Sequence, residues 1–365
     1  MMSNQSIQVF KFGGASLKDI ENIRKVIKII RHQAANRQAL LMLVSAAGKS
    51  TNSLEKILHL WLEGDKQAAE HFDRLIVGYY RNLLHAYREG LNPGERFEGF
   101  YREAQLLLNQ QAPDDEALAY DMLVSFGELL TSSFIHQILR LEGFNVLWQD
   151  ARKILKTDRH HRAGKINWEM SKQYVDQYLV KDLSQYMVLT QGFIASDDLN
   201  QNITLGREGS DYSAALFAAM LDAESLTVWK DVPGLMTADP HLYPDAVLID
   251  TLSYRDAIEM TFYGAKIIHP KTLKPLENKQ IPLFVKAFDR PESEGSKICS
   301  ISDKHKKIPP VCVSKQDQVL IRLSTLDLSF VSEEHLGIIY THFARHRIKL
   351  NMARVTAVSF DACFD

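Results

Sequence analysis

Gln201-Asn202-Ile203-Thr204-Leu205-Gly206-Arg207-Glu208-Gly209-Ser210-Asp211-Tyr212-Ser213-Ala214-Ala215-Leu216 is the stretch on which the fold turns. An apolar, strand-like run enters a turn bracketed by Gly206 and Gly209, and a helix of small residues begins at Ser210. Such a turn leaves backbone N–H groups pointing outward at a helix N-terminus, a ready place for an anion. Arg207 can hold a carboxylate through two parallel hydrogen bonds, and Asp211 sits within the helix's first turn. The plainer alternative is a tight strand-to-helix connection whose charges only face solvent.

Upstream, the chain opens with the same grammar. Ile7 to Phe12 reads as a short buried strand carrying Lys11, followed by Gly13-Gly14-Ala15-Ser16. Leu17, Ile20, Ile23, Val26, Ile27 and Ile30 then recur at helical spacing, with Ser16 as the expected N-cap. Ala39 to Val44 is a second strand, almost wholly apolar as strands covered on both faces are. Ser45-Ala46-Ala47-Gly48-Lys49-Ser50-Thr51-Asn52 is its exit loop. Strand–loop–helix–strand–loop predicts an open, mainly parallel α/β sheet, with ligands beyond the carboxyl ends of the strands.

From about residue 53 to 143 the pattern is helical, broken at Asn92-Pro93-Gly94 and Ala112-Pro113-Asp114. Its aromatics recur at helical spacing and are expected to pack a core. Glu128, inside Phe126-Gly127-Glu128-Leu129-Leu130, is an acid in an apolar run, and Glu is rarely buried without a partner. Phe144 to Gln149 and Tyr186 to Gln191 read as strands, separated by the basic Arg159-His160-His161-Arg162. Those histidines have no carboxylate or cysteine at ligand spacing, so a surface loop is expected rather than a metal site. Phe193 to Ser196 and Ile203 to Leu205 suggest a hairpin that delivers the opening stretch. Leu226 to Asp231 is a strand with a carboxylate at its exit, Tyr254 to Met260 is helical, and Ile281 to Val285 is a late strand. A charged and proline-rich linker at 304–310 precedes a strand at Val319 to Ser324, a helix at Ser332 to His346 and one or two strands within Leu350 to Phe364. That β-α-β-β unit reaches Asp365 without a second helix to cover its sheet, so a truncated end is expected.

Composition narrows the function. The 365 residues suffice for two cores, and 45% hydrophobic with 24% charged residues is ordinary for a globular protein. A formal charge of −2 argues against nucleic acid or an anionic membrane as the main partner. No basic-plus-apolar leader precedes the first strand, and no run of apolar residues approaches a membrane span. Cys299, Cys312 and Cys363 form neither a metal pattern nor an even framework, consistent with a reducing cytoplasm.

Lys11-Phe12-Gly13-Gly14, the loop 45–52, Arg207 to Asp211 and Asp231 to Pro240 together are the parts of a phosphoryl-transfer site. A transferred phosphoryl group spreads negative charge over three oxygens, so catalysis is mostly positioning and neutralisation. Lys11 and Lys266 can supply positive charge, and the glycines let backbone N–H groups approach phosphate. Neither the Gly-x-x-x-x-Gly-Lys-Ser/Thr loop nor the protein-kinase His-Arg-Asp signature is present.

Lys11-Phe12-Gly13-Gly14-Ala15-Ser16 resembles the N-terminal signature of aspartate kinases, usually Lys-Phe-Gly-Gly-Thr-Ser. Leu205 to Ala215 is similar to their Gly-Arg-Gly-Gly-Ser-Asp-Tyr block, and Asp231 to Pro240 and Gly264 to Pro270 match in order and spacing. The resemblance covers essentially the whole chain. It implies an amino-acid kinase fold over 1–303, a three-layer sandwich around a mainly parallel sheet, and a partial ACT-like regulatory unit over 311–365. It also implies ATP-dependent phosphorylation of L-aspartate, the entry to lysine, threonine and methionine synthesis. Under it, Lys11, Gly13, Gly14 and Ser16 would face the ATP phosphates, and Ser45, Thr51, Glu128, Arg207 and Ser210 would hold aspartate. Arg207 would take its α-carboxylate and Glu128 its α-ammonium, while Asp211 would orient lysines and substrate. Lys230, Asp231, Met236, His241, Lys266 and Ile267 fall where the family contacts ATP. Mg²⁺ is expected on the phosphates with no protein ligand assignable. A homodimer and feedback by lysine or threonine are implied for a full-length parent.

Four departures stand out: Lys230 where Thr is usual, Met236 where Tyr is common, His241 where Arg usually follows Asp-Pro, and Glu208 in place of a glycine. A bulky acid in an anion-binding turn calls for a cation, so Lys230 is expected to pair with Glu208 or to supply charge lost at His241. Two rival readings remain: another superfamily member, such as an acetylglutamate, glutamate or uridylate kinase, and a catalytically silent amino-acid sensor.

Overall fold

The computed structural model describes residues 6–35, 39–89, 91–265, 267–301 and 309–364. Strands β1 (Ile7–Phe12), β2 (Ala39–Val44), β3 (Val146–Trp148) and β4 (Met187–Gln191) form one half of an eight-stranded sheet. After a hairpin of β5 (Ile194–Ser196) and β6 (Asn202–Thr204), β7 (Ser225–Lys230), β8 (Thr251–Ser253), β9 (Leu283–Ala287) and β10 (Ser296–Cys299) form the other half. The spatial order is β3-β4-β2-β1-β7-β9-β10-β8. All neighbours are parallel except β9 and β10. All six side chains of β2 are buried, which explains its continuous apolar reading.

This order places the site. From β1 the chain first builds outward through β2, then returns to the other side of β1 with β7. The strand order therefore reverses at β1, and a crevice opens beyond the carboxyl ends of β1 and β7. Lys11 in β1 stands beside Val228 of β7, and Lys230 closes β7. Helix Gly209–Met220 packs on β1, β2 and β7, with its small residues nearly all buried. Helix Phe126–Leu141 packs on β2, β3 and β4.

The helical region runs as Ser50–Leu62, a stretch from Ala68 to Tyr87, Glu95–Leu108, Glu116–Val124 and Phe126–Leu141. Its aromatics are core: Tyr80, Phe72 and Phe97 are fully buried, and Tyr80 meets Phe97 edge-on at 5.5 Å. The 26-residue stretch Glu116–Leu141 is apolar and long enough to cross a bilayer, yet 89% of its most apolar window is buried within the protein. It is a core helix.

One local expectation changes. The first long helix begins at Ile20 rather than after Ser16, whose hydroxyl instead donates to Gly13 O at 2.6 Å. A short 3-10 turn, Gly14–Leu17, intervenes, and Asp19 accepts from Asn22 N at 2.8 Å to start the helix. Strands β8 and β10 and the helix Pro270–Lys279 had no reading from sequence; three- and four-residue strands are too short for a period to show.

At the C-terminal end, β11 (Val319–Ser324), β12 (Leu350–Val355) and β13 (Ser359–Phe364) form an antiparallel sheet in the order β11-β13-β12. Helix Glu333–Arg345 joins β11 to β12 and has no buried residue. Tyr340 and Phe343 meet the buried Phe360 at 5.6 and 6.5 Å. Residues 304–308 of the expected linker lie outside the described residues.

Candidate active site

Lys11, Asp211 and Lys230 form the centre. Lys11 Nζ lies 2.6 Å from Asp211 Oδ1, and Lys230 Nζ lies 3.1 Å from Asp211 Oδ2. Lys230 also donates to Ile267 O. Lys11 and Asp211 are 7% and 2% exposed, so these charges interact in a medium of low polarity. Burial alone would raise the Asp211 carboxyl; the two ammonium groups outweigh it and hold the group below the usual carboxylate range. Lys11 and Lys230 thus bring two ammonium groups together at the strand ends, an arrangement that suits a phosphate.

Around this centre the backbone is drawn tight. Gly48 N donates to Gly14 O at 2.9 Å and Ser45 N to Phe12 O at 3.1 Å, so the β1 and β2 exit loops lock together. A Cβ on Gly14 would stand 2.6 Å from Ala46 O, so no other residue fits there without moving the loop. Gly192 plays the same part at the helix start, where a Cβ would meet Ser210 Cα at 2.8 Å.

The turn 206–209 carries less free N–H than its sequence suggests. Gly209 N is taken by Gly206 O at 2.9 Å, and Asp211 N and Tyr212 N by Glu208 O at 3.1 and 3.2 Å. Glu208 reaches this geometry with a left-handed φ of 53°, the conformation glycine would take at about 1–2 kcal/mol less cost. Lys271 Nζ fixes the turn from the helix Pro270–Lys279 by donating to Leu205 O at 2.7 Å. Three N–H groups are thus spent inside the segment, which shifts anion recognition toward side-chain cations. Burial raises the Glu208 carboxyl, with Lys230 opposing it, and Glu208 Oε2 has no protein partner. The expected Lys230–Glu208 pair is not formed: Lys230 turns to Asp211, the more deeply buried carboxylate.

Glu128 sits in the first turn of Phe126–Leu141, 3% exposed. Its Oε1 accepts from Ala46 N at 3.2 Å, while Oε2 has no partner. Ala47 N donates to Thr131 Oγ1 at 2.9 Å, so the helix holds the exit loop of β2 at two points. Desolvation pushes the Glu128 carboxyl up to about 8, opposed by hydrogen bonding from Ala46 and the charge of Lys11.

A cavity of about 360 Å³ opens beside the turn, lined by Thr51, Tyr120, Arg162, Phe193, Thr204, Gly206, Arg207 and Glu208. Thr51 and Arg207 were expected there; Ser210 abuts Gly192 at the helix start, and Ser45 follows β2. Asp231 directly follows Lys230 and is exposed. Met236 and His241 belong to the long loop after β7, anchored to β10 where Leu235 N donates to Ser296 Oγ at 2.8 Å. Met236 bridges to Leu248 and His241 is exposed; among the described residues no hydrogen bond or ion pair ties either side chain to the lysine centre. Lys266 lies outside the described residues. Tyr120, Arg162, Phe193 and Thr204 were missed. Asp121, which anchors the wall they form, was legible by the signal that exposed Glu128: an acid within an apolar helix, Ala-Leu-Ala-Tyr-Asp-Met-Leu-Val. The 159–162 segment, expected as a surface loop, is held by Asp121: His161 Nδ1 lies 2.9 Å from Asp121 Oδ2 and is only 13% exposed, whereas His160 stays 70% exposed.

An open parallel sheet whose switch point carries a lysine–aspartate–lysine centre, with an arginine-lined cavity beside it, defines a class of small-molecule kinases. The amino acid kinase family model matches residues 6–287. Lysine-sensitive aspartokinase 3 of Escherichia coli (strain K12) is 32% identical over 367 residues, covering 98% of this chain and 78% of the relative. The crystal structure of E. coli aspartokinase III with lysine and aspartate (T-state) superposes with a TM-score of 0.83 at 28% identity, covering 98% of this chain and 79% of that one. The same enzyme with aspartate and ADP (R-state) gives 0.82 at 29% identity, with 98% and 78% covered. The chain belongs to the amino acid kinase family, among its aspartate kinases.

Proposed function

We propose that the chain transfers the terminal phosphoryl group of ATP to the side-chain carboxylate of L-aspartate, giving 4-phospho-L-aspartate. The observation that carries this reading is the Lys11–Asp211–Lys230 centre at the strand ends, with Lys11 and Asp211 buried, next to a cavity bearing Arg207 and Thr51. The attacking carboxylate is already ionised, so no general base is required. What the protein must supply is alignment and neutralisation. Lys11 meets the charge that develops on the transferred group, and Asp211 fixes its ammonium in place. Arg207 takes the α-carboxylate and Glu128 the α-ammonium, with Ser45, Thr51 and Ser210 completing the acceptor site. Gly13, Gly14, Ser16, Lys230, Asp231, Met236, His241, Lys266 and Ile267 serve the nucleotide side.

Mg²⁺ accompanies ATP and supplies charge neutralisation when bound. Asp211 is already engaged by two ammonium groups, and no three-ligand cage exists among the described residues. When bound, the ion would be carried by the ATP phosphates, as Mg²⁺ commonly is. The C-terminal sheet and its helix are read as part of an ACT-like regulatory unit that pairs in a homodimer. The E. coli enzyme crystallised with lysine supports lysine as the effector.

Incubation with ATP and aspartate, glutamate, N-acetylglutamate or UMP in turn, following ADP release and trapping acyl phosphate with hydroxylamine, tests the reading. Hydroxamate and ADP are expected with aspartate alone. Turnover with another acceptor and not aspartate, or aspartate binding without ATP turnover, would overturn it in favour of one of the rivals.

Lys230 makes a separate expectation. Replacing it with the usual threonine removes a cation from the nucleotide side, and a hydrogen bond from such a group to phosphate is worth about 1.5–3 kcal/mol. Lys230→Thr should raise KM for ATP roughly tenfold or more while leaving KM for aspartate nearly unchanged. Steady-state titration of each substrate checks it; a change confined to aspartate would place Lys230 on the acceptor side.

A further inference from the structure

We infer that Arg162 is a second guanidinium of the acceptor cavity, holding the substrate carboxylate that is not phosphorylated, and that the buried Asp121 is the post that sets it there. The inference rests on the aspartate reading above and adds a residue to it.

Arg162 sits in a segment folded back on itself and onto β6. Asp158 N donates to Lys165 O at 3.0 Å, Lys165 N to Asp158 Oδ1 at 2.9 Å, and Gly164 N to Thr204 O at 3.1 Å. Asp121, fully buried in Glu116–Val124, gathers three neighbours at once. Arg162 N donates to its two oxygens at 3.2 and 3.0 Å, the His161 ring lies at 2.9 Å, and Thr204 Oγ1 donates at 2.6 Å. A carboxylate without water is costly unless so satisfied. Here its hydrogen bonds are all directed at the loop and at one wall of the cavity.

The loop is held in a particular shape. Arg162 has a left-handed φ of 63°, uncommon for a side chain of its size. Gly206 permits the loop to close on the Arg207 turn, since a Cβ there would lie 2.8 Å from Arg162 O. The guanidinium lies 4.3 Å from the centre of the Tyr120 ring, and its other neighbour, Glu116, is a solvent-exposed acid at 3.6 Å. An exposed pair of that kind holds weakly and can be exchanged for a ligand. Arg162 lines the cavity that also contains Arg207 and Thr51 and does not contain Lys11. It therefore faces the end of the acceptor remote from the phosphoryl group. A planar guanidinium on an aromatic face can still offer its edge to a carboxylate in two hydrogen bonds. Two such groups from different loops would select an acceptor that carries a carboxylate in addition to the reacting one.

Steady-state kinetics of the full chain with R162Q, R162K, D121N and D121N/R162Q test this. R162Q is expected to raise KM for aspartate about 30-fold, the loss of one charge-assisted hydrogen-bond pair, with KM for ATP and kcat within about threefold. Inhibition by β-alanine, which is aspartate without its α-carboxylate, should be nearly unaffected, and R162K should recover part of the loss. D121N should shift KM for aspartate in the same direction by less, and add nothing to R162Q, because it acts through Arg162. An unchanged KM for aspartate in R162Q, or equal losses for aspartate and β-alanine, would overturn the inference while the kinase reading stands. A wild-type chain that phosphorylates glutamate or UMP and not aspartate would overturn both.

Discussion

Lys11→Ala should lower kcat for aspartate phosphorylation by about a thousandfold, the scale on which a preorganised charge at a transferring group acts. The lysine is nine-tenths buried and lies 2.6 Å from Asp211, so its ammonium is fixed before substrate arrives. Removing it leaves the phosphoryl group without the nearest positive charge in a poorly screened site. The fold should survive, because Asp211 keeps Lys230 at 3.1 Å and is not left as a bare buried charge. Aspartate affinity measured by calorimetry should fall far less than kcat, since Lys11 reaches the acceptor site only through its charge on Glu128. A kcat within tenfold of wild type, with the variant folded, would remove Lys11 from the mechanism.

Glu128→Gln should reduce kcat/KM for aspartate by about a hundredfold, the loss of one hydrogen-bonded charge partner for the α-ammonium. Its pH dependence carries more information. In the empty site the carboxyl is raised to about 8 by desolvation, so near neutrality it is mostly protonated. Binding an ammonium requires the carboxylate. KM for aspartate in the wild type should therefore fall about tenfold per pH unit as pH rises toward 8 and level off above it, whereas Glu128→Gln should show a high and flat KM.

Stability should move the opposite way. The folded value lies above the ordinary carboxyl value of 4.5, so the stability Glu128 contributes is complete below about pH 4.5 and is lost as pH rises through about 8. The ligand-free Glu128→Gln protein should gain Tm over wild type as pH is raised from 5 to 9. Such a gain beside a loss of aspartate affinity is what a strained functional carboxylate gives, and a parallel loss of both would mark Glu128 as structural.

How much of this could be read in advance depended on distance along the chain. Strands β1, β2 and β7 were visible because apolar runs and their glycine or charged exits are local signals. The hairpin 194–204 and the buried helix after it followed from punctuation alone. Glu128 showed itself as an acid among apolar neighbours, and Asp121 offered the same sign unread. Met236 and His241 were named through resemblance, and their placement in the loop after β7 has no tie to the lysine centre among the described residues.

The residues by themselves determined an open α/β sheet, the identity of the charged groups at its strand exits and the phosphoryl chemistry those groups permit. Folding alone decided which charge faces which. Lys230 left Glu208 for Asp211 because the deeper carboxylate has lost more water and gains more from an ammonium. The turn and helix start consumed three of their own N–H groups, and a loop read as surface was pinned by Asp121 into a cavity wall. Periodicity reports burial one residue at a time, whereas ion pairs and cavity walls join side chains brought together only by strand order.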